Sequence, residues 1–273
     1  MEAAIPVETD RIDRVAPTRR PSGNPVMFQS WRRLLFLHWE VPVEALRPLV
    51  PPQLAIDTYD GRAYVGLVPF TMMGVRPVWT PAFKPLSDFH EVNVRTYVHL
   101  DGADPGVWFL SLDAANALAV RIARSAWKLP YHFAEMDLSV SLNPEDVVAA
   151  DGYAVGIGDW TETVDYRSSR RWPGPVPADC TVSYSPRGPI CPAAAGTLEH
   201  FLAERYLLYS TDGARLYRGQ VHHEAYPLQT AEAWSLNESL VRAAGIDRPS
   251  SAPLVHYAHG VDVEIFPLGP TGA

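Results

Sequence analysis

Short runs rich in valine, tyrosine and phenylalanine, each closed by a turn signal, recur along most of this chain and set the terms for its fold. Ala63 to Phe70, Glu91 to Leu100 and Gly106 to Leu112 are such runs, punctuated by Asp101-Gly102 and Asp104-Pro105-Gly106. β-Branched and aromatic side chains suit a pleated, half-buried surface, and tight turns between them favour antiparallel neighbours. Further strands are expected at Leu34 to Trp39, around 133–142, 152–157, 160–166 and 179–185, and at His256 to Phe266. Arg205 to Tyr209 and Ala214 to His222, joined through Thr211-Asp212-Gly213, read as a hairpin.

Helical signals are few. Val43 to Leu49 suits a short helix stopped by Pro51-Pro52. Ala114 to Ala126 lacks Gly and Pro, with Asp113 placed to cap it and Pro130 to end it. Gly196 to Leu202 opens another, and Ala231 to Ala244 reads as a further one, closed by Gly245. Scattered helices among closely spaced strands argue against the regular strand–helix alternation of a doubly wound sheet. The expectation is an α+β fold: one domain over 26–273, a mostly antiparallel, curved or closed β-barrel with a few short helices. Residues 1–25 mix Pro, Arg and acids without periodicity and read as a flexible tail.

Composition narrows the function. A length of 273 residues fits a single large core. No apolar run approaches the roughly 20 residues of a membrane span, and the N-terminus has no secretory apolar block, so a cytoplasmic location is expected. A net charge of −8, with no basic cluster beyond the tail, speaks against nucleic acid. Cys180 and Cys191 have no metal-type spacing and read as free thiols. His222-His223-Glu224 and His256-x-x-His259 fall short of the three convergent ligands that zinc asks for, so neither metal nor cofactor is expected. Serine-hydrolase, dinucleotide and phosphate-loop motifs are absent. Self-association stays open.

Of 23 basic residues only Lys84 and Lys128 are lysines. Imine chemistry therefore has two side-chain candidates and the N-terminal amine. Arg121, Arg124 and Lys128 fall near one helical face if the helix persists that far. The stripe reads either as a solvated basic end or as an amine activated by neighbouring guanidinium groups. On the strand Phe89 to Arg95, alternation puts Glu91, Asn93 and Arg95 on one side. Such a row lines either a ligand cavity or the wet face of a sheet.

Trp31-Arg32-Arg33-Leu34-Leu35-Phe36-Leu37-His38-Trp39 and Glu44 to Leu54 resemble the opening of the YqjF-like family of unknown function. Asn93 to Val98, Gly106 to Asp113, Leu129-Pro130-Tyr131 and Leu198 to Tyr206 extend that resemblance over about 27–266. The family is similar to acetoacetate decarboxylase, which implies a cone-like barrel around a small-molecule cavity. In that enzyme, which is also the standard example of a lysine activated by a neighbouring cation, two consecutive lysines follow a proline. Here Tyr131 and His132 follow Pro130. The resemblance therefore implies a retained pocket without the reactive amine. Glu91 matches the decarboxylase pocket glutamate, and Arg32 its substrate-facing arginine to within one position.

These readings lead to a small-molecule enzyme acting on a carbonyl- or carboxylate-bearing metabolite by acid–base chemistry without an imine, of lyase, cyclase or isomerase type. Glu91, Tyr131 and His132 are its expected acid–base groups. Arg32, Arg95, Arg124, Trp127 and Lys128 are the expected substrate contacts. The alternative is a non-catalytic binder of an apolar metabolite, built on Trp39, Trp108, Trp127 and Tyr131.

Overall fold

The structure, a computed structural model, describes residues 12–142, 162–174 and 177–272. Thirteen strands lie among them: β1 (Met27–Val41), β2 (Ala55–Ile56), β3 (Ala63–Pro77), β4 (Phe89–Leu100), β5 (Ala103–Ala114), β6 (Tyr131–Leu142), β7 (Glu162–Trp172), β8 (Asp179–Arg187), β9 (Leu207–Thr211), β10 (Leu216–His222), β11 (Leu228–Glu238), β12 (Leu254–Ile265) and β13 (Gly269–Pro270). Five short helices intervene: α1 (Val43–Leu46), α2 (Lys84–Ser87), α3 (Ala117–Ile122), α4 (Leu198–Ala203) and α5 (Leu240–Ala243).

All strands join one sheet in the order β13-β10-β9-β5-β6-β7-β8-β11-β12-β1-β3-β4-β2. Two further pairings, β4 with β5 and β10 with β12, bring the curved sheet back on itself. The pairing is antiparallel except where β5 meets β6 and β9. Closure leaves few free edges and gives the sheet two enclosed sides.

Alternation along the central strands assigns side chains to two cores. Leu34 and Phe36 of β1, Val68 and Phe70 of β3, and Leu112 of β5 face the first. Leu35 and Leu37, Val65 and Leu67, and Val92 and Val94 face the second, where Tyr166 and Val182 meet them. At roughly 25 cal/mol per Å² of apolar surface removed from water, such two-sided burial is what holds strands of this length together. No helix among the described residues is long and apolar enough to cross a membrane.

Several expectations need correction. The segment Ala231 to Ala244 is not a helix. Its first part is β11, which pairs from Thr230↔Arg187 to Glu238↔Cys180, and only Leu240–Ala243 is helical before Gly245. Good helix formers there are overruled by the ladder that β8 offers. The helix expected at Ala114 to Ala126 is shorter, and Asn116 caps it by accepting from the Leu118 and Ala119 amides. Asp113 stays in β5, bound to Arg170. Of the tail, residues 12–25 are tied down: Arg14 bonds Asp57 at 2.5 Å, and Gln220 donates to Pro17 O. The strand expected at 152–157, and residues 1–11, lie outside the described residues.

Candidate active site

On β4 the alternation of Glu91, Asn93 and Arg95 carries all three side chains to the wall of one cavity, while Val92 and Val94 turn into the second core. The cavity has a volume of about 360 Å³ and is walled by β1, β3, β4, β5 and α3. Trp31, Phe70, Leu112 and Trp127 give it a largely apolar surface, and Gln29, Asn116 and Tyr131 add polar groups. Concave, mostly apolar space with a few fixed polar groups is the usual form of a small-molecule site.

Glu91 is 1% exposed. Burial pushes its carboxyl up to about 8 from an ordinary 4.5; the hydrogen bond from Tyr131 opposes that rise, and the charge of Asp113 adds to it. Tyr131 Oη donates to Glu91 Oε2 at 2.8 Å, and Tyr166 Oη donates to the Glu91 main-chain carbonyl at 3.2 Å. Asp113 is itself held by Arg170 Nη2 at 2.7 Å, so that guanidinium is already engaged. Burial, and then the neighbouring Glu91 charge, drive the Tyr131 hydroxyl well above its ordinary range. Tyr131 thus keeps its proton and acts as a donor to Glu91.

Arg95 is 93% buried and makes no ion pair among the described residues. Its Nη2 donates to Leu202 O at 2.9 Å, and its guanidinium lies over Phe36 and Tyr97 at 5.6 and 5.7 Å from the ring centres. Arg95 Nε and Asn93 Oδ1 are both buried without a hydrogen-bond partner. Among the described residues no group of three or more His, Cys, Asp and Glu side chains is arranged to hold a metal.

Of the residues expected at the site, Glu91, Tyr131, Arg95 and Trp127 stand on the cavity wall. The others do not. His132 follows Tyr131 on β6 and points the opposite way, its Nδ1 hydrogen-bonded to Pro173 O; burial lowers its pKa to about 4. Arg32 lies outside, on Asp262 at 2.6 Å and Val261 O at 2.7 Å. The cause is a bulge at Arg33, whose φ of 52° shifts the register of β1 against β3. Trp31 and Leu34 face the cavity on either side of it.

The basic stripe also separates. Arg121 lies over Trp172, Arg124 Nη1 donates to Tyr131 O at 2.7 Å, and Lys128 Nζ sits 4.7 Å from the Tyr217 ring centre. A π-helical turn at Ala123–Trp127, ending in left-handed Lys128, rotates these side chains off a common face and presents Ala123 and Trp127 to the cavity. Trp39 and Trp108 are likewise elsewhere, donating to Ser251 O and Leu49 O. Trp31 and Phe70 also stand on the wall, although the sequence did not single them out. Strand alternation was the available signal, hidden on β1 by the bulge.

Known proteins share this sequence pattern and architecture. Residues 28–262 match the family model DUF2071, described as an uncharacterized conserved protein. The uncharacterized protein YqjF of Bacillus subtilis (strain 168) is 37% identical over 248 residues, covering 91% of this chain and 93% of its own length. Among solved structures, the enduracididine biosynthesis enzyme MppR complexed with pyruvate superposes with a TM-score of 0.57 at 13% identity, over 91% of each chain. Acetoacetate decarboxylase from Legionella pneumophila subsp. pneumophila str. Philadelphia 1 gives 0.57 at 12% identity, over 100% of this chain and 98% of that one. An acetoacetate decarboxylase-like enzyme from Sphingomonas wittichii RW1 gives 0.56 at 10% identity, over 91% and 93%. At such identities the likeness speaks for the fold alone. With most of its length matched by the family model and more than a third identical to the Bacillus protein, the chain belongs to the DUF2071, YqjF-like family and carries the acetoacetate decarboxylase-like fold.

Proposed function

We propose that this chain is a small-molecule enzyme that moves a proton on a carbonyl- or carboxylate-bearing metabolite, without a lysine imine, in a lyase, cyclase or isomerase reaction. The carrying observation is the Glu91–Tyr131 pair: a buried carboxyl, hydrogen-bonded to a hydroxyl that keeps its proton, faces an apolar cavity. A proton carrier is most effective with a pKa close to the working pH. At neutral pH Glu91 holds its proton and serves as an acid toward a carbonyl oxygen. Once ionised it is a base for the adjacent carbon, and the Tyr131 hydrogen bond stabilises the carboxylate. Both lysines lie off the cavity wall, Lys84 exposed at the start of α2 and Lys128 against Tyr217. The pyruvate bound in one neighbour of the same fold supports a carbonyl metabolite here as well.

The apolar wall favours a second reading, a binder without turnover. Solvent-deuterium exchange separates the two. In D2O the wild-type protein is expected to catalyse deuterium incorporation beside the carbonyl of ketone or keto-acid probes. Glu91→Gln should lower the rate by about 10²-fold or more, the lower end of what a positioned acid–base group contributes. Probes that bind but exchange no faster than in buffer, with wild type and Glu91→Gln alike, would establish the binder.

A further inference from the structure

We infer that the cavity takes an apolar-bodied monoanion, with its carboxylate on Arg95 and its hydrocarbon or aromatic body running toward the rim at Leu86, Leu118 and Ile122. This inference rests on reading the cavity as a small-molecule site, and it specifies the class of molecule. Arg95 is a guanidinium 93% buried on the cavity wall, with no carboxylate of the described protein beside it. A buried cation is costly unless an anion and hydrogen bonds compensate it, and one main-chain carbonyl and two aromatic faces do so only in part. Its unpartnered Nε, with the unpartnered Oδ1 of nearby Asn93, marks this stretch of wall as incomplete. Glu91 offers little compensation, since it holds its proton at neutral pH. The planar guanidinium fork suits a carboxylate in particular.

The apolar part follows from the rest of the lining. Leu86, Leu118 and Ile122 line the cavity and are each about half exposed, at 48%, 48% and 49%. They form a greasy mouth above a wall that includes Trp31, Phe70 and Trp127. A small polar keto acid would leave that surface uncovered. Glu91 and Arg95 also stand four residues apart on one strand, about 13 Å between Cα atoms at roughly 3.3 Å per residue. The Arg95 guanidinium lies over Tyr97, on the side away from Glu91. A molecule anchored at Arg95 therefore presents to Glu91 a group several bonds from its carboxylate, a span that acetoacetate lacks.

Calorimetry with decanoate, decanol and acetoacetate tests this. Decanoate is expected to bind at least tenfold more tightly than decanol, and acetoacetate to bind more weakly than either. Arg95→Met should bring decanoate down to the affinity of decanol while decanol binding persists, which doubles as its folding control. Ala119→Trp, which fills the cavity, should abolish both. Equal affinity of wild type for decanoate and decanol would overturn the inference, as would acetoacetate binding as tightly as decanoate, and neither comparison depends on the folding of a variant. Retained binding without any proton exchange by wild type would refute the catalytic reading and leave the ligand class standing.

Discussion

Tyr131 reaches across β5 to Glu91, its hydroxyl donating a 2.8 Å hydrogen bond to Oε2 of a carboxyl that is 99% buried. That bond favours the ionised form of Glu91, while burial disfavours it more strongly. Tyr131→Phe removes the donor and leaves the burial. The midpoint of Glu91 should therefore move above 8, and any pH profile for proton exchange should move alkaline with it. A midpoint that stays put or falls would show that Tyr131 does not act on this carboxyl.

The same carboxyl should be legible in stability. The folded-state pKa of Glu91, about 8, lies above the ordinary 4.5, so the folded protein binds this proton more tightly than the unfolded chain. Its contribution is full below about pH 4.5, declines as pH rises and is lost by pH 8. At pH 7 the accumulated loss is on the order of 3 kcal/mol, at about 1.4 kcal/mol per unit. Urea unfolding of wild type and Glu91→Gln at pH 5 and pH 8 should show the variant gaining relative stability at the higher pH. Parallel pH dependence in the two proteins would contradict the shifted carboxyl.

Asp113 and Arg170 form an ion pair in which both side chains are almost fully buried, at 1% and 2% exposure. Arg170→Met leaves Asp113 without its counter-charge and should destabilise the fold by about 3–5 kcal/mol. A change below about 1 kcal/mol in chemical unfolding would mean that water reaches the pair.

Neither lysine reaches the cavity, so borohydride reduction in the presence of β-keto acids should leave the intact mass unchanged. Lys128→Arg should leave proton exchange as it is. A stable adduct mapped to Lys128 would restore an imine mechanism.

How much of this was legible in the sequence follows from how local each signal is. The β4 row of Glu91, Asn93 and Arg95 needs only a two-residue period, and the structure sets all three on one wall. Tyr131 was marked by its place after Pro130 in a resemblance to a known family. Arg32 was carried over from the family resemblance only to within one position; its neighbour Trp31 stands on the wall instead, because the left-handed Arg33 resets the parity of β1. Asp113 looked like a helix cap because its true partner, Arg170, lies 57 residues away. The helix expected at Ala231 to Ala244 failed for the same reason: β11 exists because β8 and β12 pair with it.

The proposed chemistry depends above all on Glu91 being a proton carrier poised near neutrality on the cavity wall. Infrared difference spectroscopy of wild type against Glu91→Gln across pH 4 to 10 tests it directly, by following the carbonyl stretch of the protonated carboxyl. A buried carboxylic-acid band is expected that is present at pH 7, titrates with a midpoint near 8 and is missing from the variant. A Glu91 signal already ionised at pH 6, with its midpoint in the ordinary carboxylate range near 4.5, would contradict it.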